Sequence, residues 1–494
     1  MSDDYSMATL KTLNFDNSYL SLPENFYQRL HPTPLKNPFL IGFNPDVAQL
    51  LDIDPCAVNP SVIAGYLGGE ELLPGSEPLA MKYTGHQFGV YNPELGDGRG
   101  LLLGEVVNKK GERWDLHLKG AGKTAFSRFG DGRAVLRSSI REYLISEAMH
   151  GLGIPTTRAL SLVGSEELAM RNGMMEPCAT VLRVTQCHIR FGHFEHLYYT
   201  RQHDELKVLA DYCLERYFPD CLQTEKPYLS MYKEVVQRSA SLVAKWQAYG
   251  FVHAVLNTDN MSLIGETFDY GPYTFMDHYK PDHVANGNDH QGRYAFANQP
   301  SIIQWNLSCL GQALLPLIER DDVVVVLDQY SEQYKQAELA EFRKRLGLQL
   351  QDEADEELVM SLLKLFALYS VDMNRFFRCL SNFDGSDAST AALMALIKVP
   401  AALSEWLIAY EARLEQEVAS FPIRRAQMRA VNPEYILRNY MAEEAIRTAT
   451  EGDFTLVHDL LMLLRNPMDE RSEFSRFSAA PPEWAGGISL TCSS

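Results

Sequence analysis

The sequence predicts an α+β protein of two lobes, with a smaller β-rich lobe ahead of a larger helical one. From residue 81 to about 185 the chain consists of short apolar runs separated by glycines, such as LLLGEVV at 101–107 and WDLHLK at 114–119. Apolar and polar residues alternate in the second run, which is the period expected of a half-buried strand. After about residue 200 the apolar residues recur at helical spacing instead.

Individual elements follow from local patterns along the chain. Proline and asparagine are frequent in the first 80 residues, which indicates an irregular segment with one short helix at 46–51. A helix at 138–150 is predicted because Ile140, Leu144 and Ala148 are spaced by four. The predicted strands are 101–107, 114–119, 159–164 and 179–184. The later helices are predicted at 204–218, 231–249, 301–318, 356–381, 390–420, 434–448 and 454–465.

These elements divide the chain into four units. We expect an N-terminal extension packed on the lobes (1–80), a β-rich lobe (81–188), a helical lobe (189–470) and a flexible tail (471–494). The helix predicted at 434–448 has Asn432 as its N-cap and Pro433 at its first position, both favourable at a helix start.

Composition excludes several classes of protein. The 494 residues carry 45 basic and 64 acidic side chains, a formal charge of −19, whereas nucleic-acid partners require a basic surface. The eight cysteines form no CxxC pair, which is typical of a reducing compartment. The first residues lack the apolar core of a signal peptide, and no apolar run approaches about 18 residues. We therefore expect a cytoplasmic protein with neither a nucleic-acid nor a membrane partner.

The stretch KGAGKTAFSRFGDGRAVLRSSIRE at 119–142 concentrates positive charge. Six cations stand against two acids, a local balance of +4 within an acidic chain. Its glycines let the backbone approach a ligand closely. The pattern predicts an anionic ligand, most simply a polyphosphate, with a solvated basic surface as the alternative. The charged residues are Lys119, Lys123, Arg128, Arg133, Arg137, Arg141, Asp131 and Glu142.

Two common kinds of phosphate site do not fit this stretch. A Walker loop needs a glycine where His117 stands, and a dinucleotide-binding turn needs a helix where two further glycines follow. A kinase-like arrangement fits better, since Lys119 ends a strand and Glu142 lies near the start of the next helix. In such folds the lysine contacts nucleotide phosphates and the glutamate fixes the lysine by a salt bridge. Ser139 and Glu142 also match a helix capping box, which alone would explain the glutamate.

A second group of polar residues lies at 253–271, HAVLNTDNMSLIGETFDYG. Asn260, a predicted short strand at 261–264 and then Asp269 follow the order in which kinase-like enzymes hold magnesium, and both side chains offer hard oxygen ligands. Val255 stands where an ordinary kinase has its catalytic aspartate, so by kinase rules this is a pseudokinase. Asp259 beside Asn260 offers another carboxylate.

Three arginines and two glycines are further candidates. Arg183 and Arg190 carry guanidinium groups that suit phosphate oxygens, with ion pairs between the lobes as the alternative. In the GDGRG turn, Gly96, Gly98 and Arg99 are placed to cover phosphates, or the turn is a plain hairpin.

Several of these stretches resemble the selenoprotein O family. The resemblance runs from about residue 15 to the C-terminus. Members are pseudokinase-fold protein adenylyltransferases, so the resemblance implies a two-lobed, protein-kinase-like fold with family-specific extensions at both ends. It also implies AMP transfer from ATP to Ser, Thr or Tyr hydroxyls of proteins, with ATP bound in reverse relative to a kinase. The matching stretches are YTGHQFGVYNPELGDGRGLLLGE (83–105), DLHLKGAGKTAFSRFGDGRAVLRSSIREYL (115–144), 183–195, HAVLNTDNMSLIGETFDYGP (253–272), NDHQGRY (288–294) and NPEYILRNYMAEEAI (432–446).

The resemblance also implies roles for individual residues. Asp259 would be the catalytic base, Asn260 and Asp269 would hold Mg²⁺ or Mn²⁺, and Glu142 would pair with the strand lysine. Cys492 stands where many eukaryotic members carry selenocysteine, which makes it a candidate redox residue, although 270–299 contains no cysteine to pair with it. The nucleotide would be bound by Gly96, Gly98, Arg99, Lys119, Asp131, Gly132, Arg183, Arg190 and Asp269.

Three alternative functions stay open on the sequence. The first is transfer of UMP from UTP, and the second is the activity of an ordinary kinase-type phosphotransferase. The third is nucleotide binding without catalysis, which Val255 alone suggests. The expected partners are ATP and protein substrates, and the chain is expected to be a monomer.

Overall fold

An antiparallel sheet forms most of the first lobe in the computed structural model, which describes residues 9–491. The strands are β1 (Tyr27–Arg29), β2 (Phe39–Phe43), β3 (Leu79–Met81), β4 (Gly85–Gln87), β5 (Val90–Asn92), β6 (Gly100–Val107), β7 (Arg113–Lys119), β8 (Ala134–Val135), β9 (Arg158–Arg171), β10 (Met174–Thr185), β11 (Phe251–Val252) and β12 (Thr274–Phe275). The main sheet has the order β1-β3-β6-β7-β10-β9-β2, with β8 also paired to β10. β4 with β5 and β11 with β12 form two separate small pairs.

One helix is inserted into the sheet, and most of the others follow it. The helices are α1 (Pro45–Leu50), α2 (Pro60–Leu67), α3 (Leu136–Gly151), α4 (Phe191–Tyr199), α5 (His203–Tyr217), α6 (Pro227–Tyr249), α7 (Gln299–Ala313), α8 (Arg320–Asp328), α9 (Tyr330–Leu346), α10 (Asp355–Tyr369), α11 (Met373–Leu380), α12 (Asp387–Met394), α13 (Pro400–Leu414), α14 (Phe421–Arg429), α15 (Asn439–Thr450) and α16 (Thr455–Arg465). A β-rich lobe with one inserted helix, followed by a helical lobe, confirms the predicted α+β, kinase-like fold class. Among the described helices, none combines the length and the apolar character that a membrane crossing requires.

Both faces of the main sheet are covered by other parts of the chain. On one face α1 and α2 pack against the apolar side chains of β7, including Leu116 and Leu118. On the other face the polar residues of the same strand, Asp115, His117 and Lys119, are buried as well. The prediction of a half-buried strand is therefore wrong, because the N-terminal helices shield the face that does not meet the second lobe. Buried polar groups need partners inside the protein, so this strand directs its polar side chains into the interior.

The inserted helix α3 lies between the sheet and two C-terminal helices. It packs against β9 and β10 on one side and against α15 and α16 on the other. Gly151 at its end touches the Leu464 carbonyl so closely that a side chain there would overlap it. Arg465 of α16 also forms an ion pair with Asp46 of α1, with Nε 2.7 Å from Oδ2. α3 is thus held from both sides.

Several helices differ from the sequence-based expectation. The helix expected at 356–381 is broken at Ser370, whose φ of 51° is left-handed, and the one expected at 390–420 is also two helices. The helix predicted at 434–448 begins only at Asn439, because the Asn432 side chain accepts a hydrogen bond from Arg345 Nε at 2.9 Å instead of capping a helix. The structure also contains α2, α4, α8, α9 and α14, which the sequence patterns do not predict.

The C-terminal segment, expected to be flexible, is packed as far as the structure describes it. Two short 3₁₀ turns form at Ser472–Phe477 and Glu483–Gly487. Leu490 then forms a parallel bridge with Asn286, and its carbonyl accepts from the Gly287 N–H at 2.8 Å. This pairing attaches the C-terminal segment to residues 286–287, which follow the polar stretch at 253–271. Cys492, the candidate redox residue, lies outside the described residues.

Candidate active site

A cleft of about 740 Å³ lies between the sheet and the helical lobe. Its walls come from two glycine-containing loops, the first at 93–99 and the second at 120–133. The ends of β7 and β10 and the segments around 255–260 and 269–272 complete the walls. Every nucleotide, metal and base candidate named above, apart from Glu142 behind the wall, lines this cleft. The structure therefore brings together residues that are up to about 170 positions apart in the chain.

Lys119, Glu142 and Arg183 form a buried charge cluster at the wall of the cleft. The Lys119 ammonium and the Arg183 guanidinium both donate to the Glu142 carboxylate, and Arg183 Nη2 lies 3.1 Å from Oε2. Their side chains are only 4%, 2% and 4% exposed. Burial opposes ionisation of Glu142, but the attraction of the two cations outweighs it and lowers the pKa of Glu142 to about 2. For Lys119 burial dominates over the attraction of Glu142, and its pKa falls to about 8.

The alternative explanation of Glu142 as a capping residue is wrong. The N-cap of α3 is Val135, which places Ser139 and Glu142 inside the helix rather than at its start. Because α3 begins earlier than predicted, Glu142 lies beyond the first turn and faces the sheet. Both of its carboxylate oxygens accept hydrogen bonds from the buried cations, which is the arrangement that the predicted kinase-like fold requires.

Asp269 joins the same cluster from the opposite side of the cleft. Its Oδ1 lies 2.8 Å from Arg183 Nη1, and its Oδ2 pairs with Arg190. Burial would raise the pKa of Asp269, but Arg190 and Arg183 hold it well below its usual value. The Arg190 guanidinium is also stacked between the rings of Tyr83 and Phe268, 4.6 Å from each centroid. In this state both arginines form ion pairs, the alternative that the sequence left open.

Asp259 lies on the turn Thr258–Asn260 and is almost fully buried. Gln87 Nε2 donates to its Oδ2 at 3.2 Å, and its Oδ1 has no hydrogen-bond partner within 9–491. Burial raises the pKa of Asp259 to about 7, although Arg190 opposes the rise. A carboxylate with this pKa and one free oxygen can accept a proton near neutral pH.

Asn260 and Val255 are neighbours in the cleft wall. The Asn260 amide nitrogen donates to the Val255 carbonyl at 3.0 Å, which leaves the amide oxygen available. Together with the Asp269 carboxylate, this oxygen matches the hard donor set that Mg²⁺ and Mn²⁺ prefer, so the residues fit the implied metal. The strand expected between them is absent, and Ser262 makes only an isolated bridge to Arg190.

The two glycine-containing loops pack directly on each other. A Cβ on Gly96 would lie 2.6 Å from the Phe126 ring, and one on Gly98 would lie 2.8 Å from the Phe126 carbonyl. Gly132 has a φ of 76° and touches the Gly122 backbone. Only residues without a side chain allow this approach, so the glycines shape the roof of the cleft.

Of the other loop candidates, Arg99 is exposed at the cleft and Asp131 is engaged by a neighbour. The Arg171 guanidinium holds both Asp131 oxygens, at 2.7 and 2.8 Å. The carboxylate thereby links the second loop to the end of β9.

Three cations of the basic stretch, expected to contact an anionic ligand, are bonded to groups within the protein instead. Arg133 Nε is bonded to Glu167 at 2.8 Å, and Arg137 Nη2 to Glu176 at 3.0 Å. Arg141 donates to a backbone carbonyl at 2.8 Å and stacks on the ring of Tyr273. The partners come from elements distant in sequence, which is why the local charge balance overestimates the positive charge of the site.

Two polar residues of the site are absent from the sequence-based candidates. Asp97, between Gly96 and Gly98, accepts from the Met81 N–H at 3.0 Å and lies 3.2 Å from His117 Nε2. Burial acts against ionisation of Asp97, yet its pKa is lowered by His117 and Arg190. Gln87 is the other, through its bond to the Asp259 carboxylate. The alternation of residues in β7 places His117 on the same face as Lys119. This pattern could have identified His117 as a residue of the cleft from the sequence.

Comparison with known proteins agrees with this geometry. The family model described as protein adenylyltransferase SelO matches residues 9–465. The chain belongs to the SelO family. The family prediction is thereby confirmed, and so is the prediction of an enzyme of the nucleotidyltransferase class.

Relatives of the chain match it over nearly its whole length. A protein of Hahella chejuensis is 56% identical, over 99% of each chain, and proteins of Photobacterium profundum and Vibrio vulnificus are 48% identical over 99% of this chain and all of theirs. All three are named protein nucleotidyltransferase YdiU. Among solved structures, the chain is similar to the kinase domain of a Toxoplasma gondii rhoptry antigen, at 13% identity over 63% of this chain and 91% of that one. The TM-score of that match is 0.27, too low to support an argument about the fold.

Proposed function

We propose that this SelO-family protein transfers AMP from ATP to Ser, Thr or Tyr hydroxyls of proteins and releases pyrophosphate. The observation that carries the proposal is the cluster of three buried cations, Lys119, Arg183 and Arg190, in the cleft beside a carboxylate with one free oxygen, Asp259. The cations are the most buried positive charges of the cleft, whereas Arg99 and Arg128 are exposed.

The position of the charge supports a reversed nucleotide. A triphosphate gains most from the cations that water cannot screen, so its terminal phosphates belong at the buried cluster. The nucleoside then points outwards, and the α-phosphorus lies nearer the mouth of the cleft, where an acceptor protein can approach. Exposed Arg99 and the loop backbones at Gly96, Gly98 and Gly132 are available along the phosphates, and Asp131 keeps the second loop in place through Arg171.

The transfer step assigns the proton to Asp259. The acceptor hydroxyl oxygen attacks the α-phosphorus, an O–P bond forms, and the bond to the bridging oxygen of pyrophosphate breaks. The hydroxyl proton passes to the Asp259 carboxylate, whose pKa of about 7 suits a general base. Lys119, Arg183 and Arg190 stabilise the charge that moves onto the leaving pyrophosphate.

Asn260 and Asp269 would hold the metal. Mg²⁺ or Mn²⁺ bound there supplies positive charge next to the phosphate oxygens during transfer. Since Asp269 is ion-paired with both arginines, it changes partners when the arginines turn to the phosphates. Val255 offers no carboxylate at the usual kinase position, so Asp259 is the base that the site provides.

Labelled nucleotides test the proposal. After incubation with a metal and ATP labelled at the α-phosphorus, protein acceptors should carry the label, while γ-labelled ATP should leave none. Intact-mass analysis should then show an adenylyl adduct. Label retained only from the γ position would identify a kinase-type phosphotransferase, and preferential labelling by UTP would identify UMP transfer. Absence of any label with a metal present would favour a non-catalytic nucleotide-binding protein.

A further inference from the structure

We propose that Gln87 is a positioning residue for Asp259, and that Asn92 sets the direction of its hydrogen bond. The inference rests on the proposed role of Asp259 as the base. Gln87 Nε2 donates to Asp259 Oδ2 at 3.2 Å, while Oδ1 has no partner within the described residues. One oxygen is therefore hydrogen-bonded, and the other is buried with no hydrogen-bond partner that would compete with the acceptor hydroxyl.

The direction of this hydrogen bond follows from a chain of three contacts. The Glu94 backbone N–H lies 3.0 Å from Asn92 Oδ1, and a backbone N–H can only donate. Asn92 therefore presents its amide nitrogen to Gln87 Oε1, at 3.1 Å. Gln87 in turn has only its own amide nitrogen left for Asp259. The backbone at Glu94 thus ensures that Asp259 meets a donor and not a second oxygen.

The hairpin that carries Gln87 is fixed to the catalytic loop by other bonds. The His86 N–H donates to Thr258 Oγ1 at 2.7 Å. The Phe88 N–H lies 3.2 Å from Asn257 Oδ1 and 2.9 Å from the Tyr294 hydroxyl. None of these contacts uses the Gln87 side chain, so the hairpin keeps its place when that side chain is changed. Substitution at Gln87 therefore tests the hydrogen bond rather than the fold.

The decisive variant changes a residue that does not touch Asp259. In Asn92→Asp, one carboxylate oxygen still accepts from Glu94, but the other now requires a donor from Gln87. The Gln87 amide turns over and presents its oxygen to Asp259. This isosteric change should therefore have the same effect as Gln87→Leu, which removes the donor altogether. Asn59→Asp is a matched control, since Asn59 Oδ1 also accepts a backbone N–H, from Ser61 at 3.0 Å, away from the cleft.

The experiment measures label transfer to casein from α-labelled ATP, nucleotide affinity by calorimetry, and thermal unfolding of the full chain. Gln87→Leu and Asn92→Asp should each lower kcat by about 10- to 100-fold, as expected for a displaced base, with the Kd for ATP within about twofold of wild type. The double variant should be no slower than either single variant, because both changes remove the same contact. Asn59→Asp should keep the wild-type kcat.

Wild-type kcat in Asn92→Asp, or multiplied losses in the double variant, would overturn the inference. So would a loss that is explained by weaker nucleotide binding or by a lower unfolding temperature. The proposed function fails in a different way, when wild type transfers the label only from the γ position. In that case the same four variants and wild type are compared on the rate of γ-label transfer, which still decides the coupling between Gln87 and Asn92.

Discussion

Asp269 and Arg183 are joined by an ion pair across the cleft, with Oδ1 2.8 Å from Nη1. The second oxygen of Asp269 pairs with Arg190. The carboxylate proposed to hold the metal thus neutralises the two guanidinium groups proposed to hold the phosphates. A nucleotide that binds the two arginines would release Asp269 for the metal, and a metal that binds Asp269 would release the arginines for the phosphates. Nucleotide and metal should therefore strengthen each other's binding.

Asp269→Asn should separate these two effects. Without a metal, the variant should bind ATP about tenfold more tightly than wild type, because a negative charge has left the cleft and both arginines have lost one ion-pair partner there. With Mg²⁺ or Mn²⁺, transfer should be lost. Calorimetry in a chelator and α-label transfer in metal measure the two outcomes. Unchanged or weaker binding in the chelator would contradict the ion-pair exchange.

Asp259→Asn should abolish catalysis and spare nucleotide binding. We expect a fall in transfer rate of about 10²- to 10⁴-fold, the usual contribution of a general base. The Asp259 side chain bonds only Gln87 among the described residues, so the ATP affinity should stay within about threefold of wild type. A parallel loss of affinity would mean that Asp259 takes part in binding instead.

The rate of transfer should depend on pH through Asp259. Burial raises the pKa of its carboxyl to about 7, so the group is protonated and inactive as a base below that pH. The rate should therefore rise about tenfold per unit below pH 7 and level off between pH 7 and about 8, above which Lys119 loses its charge. The residual rate of Asp259→Asn should show no such rise. A profile that falls between pH 6 and 8 would assign the titration to another group.

Glu142→Gln should destabilise the protein, because Lys119 would remain buried without a counter-charge and Arg183 would keep only Asp269. Removing one partner of a buried ion pair costs about 3–5 kcal/mol of unfolding free energy. Glu77→Gln is the control, since Glu77 pairs with Arg29 at the surface, where both side chains are more than half exposed. That control should lose less than about 1 kcal/mol. Equal losses in denaturant titrations of the two variants would show that the buried cluster contributes no special stability.

Gly132→Ala should impair the nucleotide site through its loop. A side chain at this position meets the Gly122 backbone, and the φ of 76° is itself unfavourable for alanine. Gly173 has a φ of 80° but no atom within 4 Å, so Gly173→Ala shares the strain without the overlap. We expect the KM for ATP to rise about tenfold in Gly132→Ala only. A similar KM in both variants would remove the close contact between Gly132 and Gly122 from the explanation.

The parts of the site that the sequence predicts are those encoded by chain order and local period. Lys119 at a strand end and Glu142 on the next helix are recognisable because the two elements are neighbours in both sequence and space. The alternation in β7 also places His117 beside Lys119. Spacing around Asn260 identifies its neighbour Asp259 as a candidate base, although not its contacts.

The rest depends on contacts between distant segments. Arg133 and Arg137 look like ligands for an anion in the sequence, yet their partners Glu167 and Glu176 lie on β9 and β10. The role of Gln87 requires a hairpin to fold onto a loop about 170 residues later. Likewise Asn432 is a good helix cap by its own chemistry, but a buried arginine competes for it.

The fixed setting of α3 limits how this enzyme can be controlled. In protein kinases, displacement of the corresponding helix breaks the lysine–glutamate pair and turns activity off. Here α3 packs against the sheet on one side and against α15 and α16 on the other, so displacing it would break those contacts together with the pair. Inhibition at the entrance of the cleft would leave those contacts intact, because it restricts only which nucleotides or proteins enter.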